Sequence, residues 1–172
     1  MLLFIIGLPG SGKSYWANKI RAALNFNAID LDTEIEKRFQ TSIPDLFEIS
    51  EENFRIKEKE VLKNIIKNAL LFNQPTVIAS GGGTPCFYDN LARMKTCGKV
   101  IYLQSSIENI MKRMDHYPQI RPLLSKENEE LKQQLIILEE KRKPFYEQAH
   151  LILDADNLTL PIFAQHLKSL LK

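Results

Sequence analysis

Five short apolar runs, separated by longer segments of helical periodicity, set the pattern of this chain. The runs are Leu2-Leu3-Phe4-Ile5-Ile6, Ala28-Ile29-Asp30, Thr76-Val77-Ile78-Ala79, Val100-Ile101-Tyr102-Leu103 and Leu151-Ile152-Leu153, each short enough for a buried strand. Between them, Trp16, Ile20, Ala23 and Leu24 predict a helix over 15–24 that stops at Asn25. Asp32 is expected to cap a helix over 33–39, and Ser42-Ile43-Pro44-Asp45 reads as another helix start. The clearest helix covers 51–71, where Phe54, Val61, Leu62, Ile65, Ile66, Ala69 and Leu70 share a face before Asn73-Gln74-Pro75 breaks it. A short helix is predicted over 86–94, and another follows a cap at Ser105 or Ser106 and ends near Met114. A charged helix over 128–146 turns Leu131, Leu135 and Leu138 inward, with Pro144 expected to bend it or end it early. A last helix covers 160–171. Strands alternating with helices imply an α/β fold of three layers, a five-stranded parallel sheet with helices on both faces.

The run 115–125 departs from this rhythm. Tyr117-Pro118 and Arg121-Pro122 disfavour helix, so the segment reads as a mobile lid on a single domain spanning 1–172. A chain of 172 residues can bury a real core, and its 44% hydrophobic and 26% charged content is that of a globular protein. The formal net charge of +2 gives no field suited to nucleic acid or a membrane, and the expected partner is a small molecule. Cys86 and Cys97 form no C-x-x-C pair and the three histidines are scattered, so buried thiols in a reducing cytoplasm are expected rather than zinc or disulfides. The apolar start is too short to span a bilayer.

Gly7-Leu8-Pro9-Gly10-Ser11-Gly12-Lys13-Ser14 joins the first strand to the first helix. At that junction, the spacing G-x-x-x-x-G-K-[ST] specifies a phosphate-binding loop. Its glycines turn backbone N–H groups inward around a polyphosphate at a helix N-terminus. Lys13 would reach the β- and γ-phosphates, and Ser14 would offer its hydroxyl to a magnesium ion held between them.

The loop alone does not distinguish a switch from a kinase. The third strand carries no acid for magnesium, which leaves Asp30 and Asp32 as the candidates, placed as alternate residues of an extended segment. Arg55 and Glu58, three apart on a helix, are by themselves explained as a surface ion pair worth well under about 1 kcal/mol. Gly81-Gly82-Gly83 is either a plain turn or a place where backbone approaches a ligand closely. Arg121 in the lid is suited to neutralise phosphoryl charge.

Taken in order, these motifs resemble the shikimate kinase family over most of the chain. The resemblance rests on the phosphate loop, Asp30-Leu31-Asp32 with Ile35-Glu36, Ser42 to Phe47, Phe54-Arg55 with Glu58, the triple glycine, Arg121-Pro122-Leu123-Leu124, and Arg142 with Pro144 and Tyr146. It implies a P-loop fold of the nucleoside-monophosphate-kinase type, with a substrate-binding helical region at about 32–60. It also implies transfer of the γ-phosphoryl group of ATP to the 3-hydroxyl of shikimate. The implied site sets Asp32 on the reacting hydroxyl, Arg55, Arg142 and the backbone of Gly82 on the carboxylate and ring hydroxyls, and Asp30 on Mg2+ through water. Lys13 and Arg121 would act on the transferring group. Gly10, Ser11, Gly12, Ser14 and Tyr15 would bind nucleotide, Arg113 would lie against the adenine, and Phe47 and Phe54 would border the ring. The loop after Asp154 carries no clear nucleotide-contact signature. A cytoplasmic monomer is expected. The rivals are a kinase for another small polyol acid such as gluconate, and a nucleotide-dependent switch module. Against the switch, Asn18-Lys19 runs into Ile20-Arg21 and not into a guanine-reading N-K-x-D.

Overall fold

The protein is represented by a computed structural model that describes residues 1–116 and 128–170. Among them, β1 (Leu2–Ile6), β2 (Asn27–Asp30), β3 (Thr76–Ala79), β4 (Lys99–Gln104) and β5 (Leu151–Asp154) form one sheet in the order β2-β3-β1-β4-β5. Every pairing is parallel, from Asn27 opposite Thr76 on one side to Gln104 opposite Asp154 on the other. Parallel strands need crossover helices, which bury the sheet on both faces. That is why β1 is apolar at all five positions and fully buried.

The alternation of strand side chains divides the core into two. Leu2, Phe4 and Ile6 point into one cluster, which α2 (Leu31–Phe39), α3 (Ile43–Ile49), α4 (Glu51–Leu71), α5 (Asn90–Cys97), α6 (Ile107–His116) and α7 (Asn128–Tyr146) help to build. Leu3 and Ile5 point into the other, under α1 (Lys13–Leu24) and α8 (Leu160–Leu170), where Trp16 stacks on Phe163 with ring centroids 5.6 Å apart. The central strand β1 lies where the crossovers change direction, with β3 on one side and β4 on the other. In open α/β sheets the crevice at such a point is where ligands bind.

Several expected boundaries move, each for a local reason. Asp32 is not the cap of α2. Asp30 is, its Oδ1 accepting from Thr33 N at 3.2 Å, so Asp32 sits in the first helical turn and not on an extended segment. The helix expected over 86–94 is displaced to Asn90–Cys97. Thr84–Cys86 forms a 3-10 turn started by Pro85, and Tyr88 takes a left-handed φ of 52° that ends any helical run there. Helix α7 continues through Pro144. Proline lacks the N–H that would bond to Glu140 O and its ring crowds that carbonyl, yet the chain stays helical beyond it, with Glu147 N bonded to Lys143 O at 2.9 Å. Helix α6 reaches His116, so Asp115 and His116 are helical and not part of a connection. The rest of the expected lid, including Arg121, lies outside the described residues. Cys86 and Cys97 are free thiols, half-buried instead of buried. No helix among the described residues is long and apolar enough to cross a membrane.

Candidate active site

The loop between β1 and α1 is built for an anion. Gly12, at φ 92°, takes the left-handed conformation that lets the chain enter α1, and α1 starts with no side-chain cap and no acid in its first turn. Its N-terminal N–H groups therefore keep their partial positive charge for a ligand. Ser11 Oγ is buried without a hydrogen-bond partner among the described residues. Lys13 Nζ donates to Gly7 O at 3.0 Å and to Leu8 O at 2.8 Å. Burial lowers the Lys13 ammonium to about 8, against the upward pull of the Asp32 and Asp30 charges.

Asp30 ties two helix starts together: while one oxygen caps α2, the other accepts from Ser14 Oγ at 2.5 Å. Asp32, two residues on, lines the same cavity as the loop. Burial and the neighbouring Asp30 charge raise its carboxyl to about 6, with Lys13 pulling it back down. The two acids share the cavity because the strand-to-helix bend brings the first turn of α2 over the strand end.

Arg55 and Glu58 are not a surface pair. They are 5% and 0% exposed, and Arg55 Nη1 donates to Glu58 Oε2 at 2.9 Å. Arg55 also reaches the outer carboxylate of Glu51 through Nη2 at 3.2 Å. Its guanidinium lies 4.1 Å from the ring centre of Phe87, with Phe54 and Phe47 at 5.0 and 5.1 Å. The second oxygen of Glu58 accepts from Thr84 Oγ1 at 2.6 Å, and Asn90 Nδ2 in turn donates to Thr84 O at 2.9 Å. A buried ion pair is stable only when its remaining lone pairs are satisfied, and here they are.

The triple glycine is a close approach. A Cβ on Gly83 would stand 2.6 Å from Arg55 Nη2, and one on Gly82 would stand 3.0 Å from both Arg142 Nη1 and Pro9 Cδ. Tyr146 Oη, kept protonated by burial, donates to Gly82 O at 2.6 Å and fixes that backbone against α7. Arg142, one helical turn before Tyr146, is half-buried at the same rim.

The phosphate loop from Pro9, both acids, Arg55, Glu58, the triple glycine and Arg142 open onto one cavity of about 1250 Å³ at the C-terminal ends of the strands. Gly10, Ser11, Gly12, Lys13, Ser14 and Tyr15 form its middle. Asp30, Asp32, Arg55, Gly82 and Arg142 line one end, and Arg113 lines the other with Ala155, Leu158 and Leu160. Arg113 is held on three sides. Nη1 donates to Ser105 Oγ at 2.9 Å and Gly10 O at 3.3 Å, and Nη2 to Asp156 Oδ1 at 2.8 Å. A cradle for a polyphosphate thus joins an apolar cleft with a cationic wall to a pocket of two guanidinium groups and a carboxylate.

The shikimate kinase family model matches residues 9–171. The chain belongs to the shikimate kinase family. The shikimate kinase of Bacteroides thetaiotaomicron is 38% identical over 158 residues, 91% of this chain and 87% of its own. The 1.7 Å crystal structure of the shikimate kinase from that organism aligns with a TM-score of 0.87 at 36% identity, covering 99% of this chain and 98% of that one. The shikimate kinase from Acinetobacter baumannii, solved in complex with shikimate, aligns at 0.84 with 30% identity, covering 99% and 95%. Shikimate kinases are ATP-dependent kinases, and this chain is one of the family. Thr84, Phe87, Glu51 and Asp156 support this shikimate kinase site without having been legible in the sequence. Thr84, Phe87 and Asp156 act through neighbours distant in the chain, whereas Glu51, four residues before Arg55, stood at a readable spacing.

Proposed function

We propose that this chain transfers the γ-phosphoryl group of ATP to the 3-hydroxyl of shikimate. The observation that carries the reading is that Asp32, Arg55 and Arg142 line the same cavity as Lys13 and the phosphate loop. A small ring carrying one carboxylate and several hydroxyls needs planar guanidinium forks for the acid and an acceptor for the reacting hydroxyl. Arg55 and Arg142 take the carboxylate, with the backbone of Gly82 close by, and Asp32 holds the 3-hydroxyl. As the bond between the γ-phosphorus and the β–γ bridging oxygen breaks, the 3-oxygen bonds to that phosphorus and its proton passes to Asp32. A carboxyl raised to about 6 is charged at neutral pH yet basic enough to accept that proton. Lys13 and the N–H groups of the loop stabilise the charge on the transferring group, and Arg121, in the segment that follows α6, joins them. The helical region at about 32–60 carries the substrate pocket, and Arg113 faces the adenine with Tyr15 nearby.

Magnesium fits the residues present. Ser14 Oγ and Asp30 supply adjacent hard oxygens beside the phosphate cradle. No group of three or more His, Cys, Asp or Glu among the described residues could enclose a metal, so the phosphates and water would complete its shell. When bound, Mg2+ would offset charge on the β- and γ-phosphates. We further propose a cytoplasmic monomer with small-molecule partners only. A cavity formed within one chain and a net charge of +2 support this. The test is an assay of the purified protein with ATP, Mg2+ and shikimate. ADP and shikimate 3-phosphate should form in equal amounts, and ADP without phosphorylated shikimate, or neither product, overturns the proposal.

A further inference from the structure

Asp156 stands behind the nucleotide end of the cavity without lining it. Its carboxylate gathers donors from two other places in the fold. On Oδ2 it accepts Ser106 N and Ser106 Oγ, both at 2.9 Å, from the turn after β4. On Oδ1 it accepts the hydroxyl of Ser105 and, at 2.8 Å, Nη2 of Arg113 on α6. Through the other arm of Arg113 the network ends on Gly10 O, in the phosphate loop, at 3.3 Å. Burial alone would raise this carboxyl, but hydrogen bonds from Ser105, Asn109 and Ser106 outweigh it and hold Asp156 well below the usual carboxylate range, so it is charged at neutral pH.

Nothing in the local turn requires that carboxylate. Asp154 closes the turn after β5, its Oδ1 accepting Asp156 N at 2.9 Å and its Oδ2 accepting Asn157 Nδ2 at 2.8 Å. Strands β4 and β5 run side by side with Gln104 opposite Asp154, so the residues just beyond each strand meet, and Asp156 reaches across to Ser105 and Ser106. Two cavity walls meet at it, the Arg113 guanidinium and the loop 155–160, which lines the cavity with Ala155, Leu158, Thr159 and Leu160.

We propose that Asp156 is a positioning residue for the nucleotide, holding Arg113 and the loop 155–160 at the spacing that accepts a planar base. This rests on reading the cavity as an ATP site. Without the carboxylate, Arg113 keeps only neutral acceptors and the Ser106 N–H loses its partner. A long guanidinium side chain freed in this way must be ordered again at each binding event, which weakens affinity.

The test measures Mg·ADP affinity by calorimetry on the full chain, beside steady-state kinetics. Asp156→Ala should weaken ADP binding about tenfold and raise KM for ATP in step, while kcat and KM for shikimate stay within about twofold. Asp156→Asn keeps an acceptor for Ser106 but loses the charge, and should fall between the two; it decides the matter if the alanine variant does not fold. In a double-mutant cycle, Arg113→Ala combined with Asp156→Ala should bind ADP no more weakly than the weaker single variant. ADP affinity within twofold of wild type, fully multiplicative effects of the two substitutions, or a parallel rise in KM for shikimate would overturn the proposal. Wild-type protein that binds Mg·ADP but leaves shikimate unphosphorylated would refute the functional reading, and the binding arms would still judge Asp156. Wild-type protein that does not bind ADP would overturn both.

Discussion

At the scale of single residues, the site holds two charges at a cost, on buried Lys13 and half-buried Asp32. Asp32 binds its proton more tightly folded, at about 6, than its ordinary 3.8. Between those values the native state holds more protons than the unfolded chain, so stability falls as pH rises from about 4 to about 6 and then levels off. Lys13 runs the other way: lowered to about 8, it gives up its proton earlier when folded, and stability recovers as pH climbs above that value. At neutral pH both groups are charged against the preference of their surroundings. Asp32→Asn is therefore expected to stabilise the protein by about 1–2 kcal/mol at pH 7.5, part of the gain being offset because Lys13 loses a partner, and by nothing near pH 4. Urea unfolding at the two pH values checks this, and equal effects at both would contradict it. The same substitution should lower turnover at least a hundredfold and abolish the acid limb near pH 6 that wild-type kcat should show.

At the scale of elements, the substrate pocket depends on ties between segments that make no contact in sequence. Helix α4 supplies the buried Arg55–Glu58 pair, but the 3-10 turn at Thr84–Cys86 completes it through Thr84 Oγ1. Thr84→Val keeps the shape and leaves one buried oxygen of Glu58 without a donor, at a cost of about 1–3 kcal/mol. Shikimate KM should rise several-fold with ADP affinity unchanged, and Thr84→Ser should restore it. If valine and serine behave alike in kinetics, the hydroxyl has no part in holding Arg55. This shows where sequence reading reached and stopped. Helix α4 was plain from its apolar stripe, and the strands from their runs, because periodicity is a local signal. The phosphate loop was legible as residue types at a fixed spacing and the two acids by elimination, whereas Arg55, Arg113 and Arg142 entered only through the family resemblance. That Arg55 is buried under three phenylalanines was not, since Phe87 lies thirty-two positions away and an i, i+3 pair looks the same on a surface. Asp32 directly precedes the expected helix and so reads as its cap, and only the hydrogen bond from Thr33 N shows that Asp30 caps it instead. Pro144 does not end the helix early because Tyr146, buried in the core and bonded to Gly82 O, holds the last turn from outside and offsets the lost N–H bond.

At the scale of the whole molecule, the strand order separates the two halves of the cavity onto different supports. The proposed substrate end rests on β2, β3, α2, α4 and α7, and the proposed nucleotide end on β4, β5 and α6, with the phosphate loop after β1 between them. Ligands at the two ends should therefore stabilise the fold through largely separate contacts. At a hundredfold excess over Kd each ligand adds about 2.7 kcal/mol, which for a chain of this size is a rise in Tm of roughly 5–10 °C. Arg142→Ala removes a guanidinium from the substrate end and touches neither Arg113 nor the phosphate loop carbonyls that Lys13 engages. Its Tm should still rise by the wild-type amount with Mg·ADP, and by less than half the wild-type amount with shikimate at the same concentration. Because Lys13 sits between the halves and senses the Arg142 charge, a small gain in ADP affinity is compatible with this picture. Comparable loss of both thermal shifts would mean that Arg142 braces the whole strand edge, and the carboxylate would then have to be read by Arg55 alone.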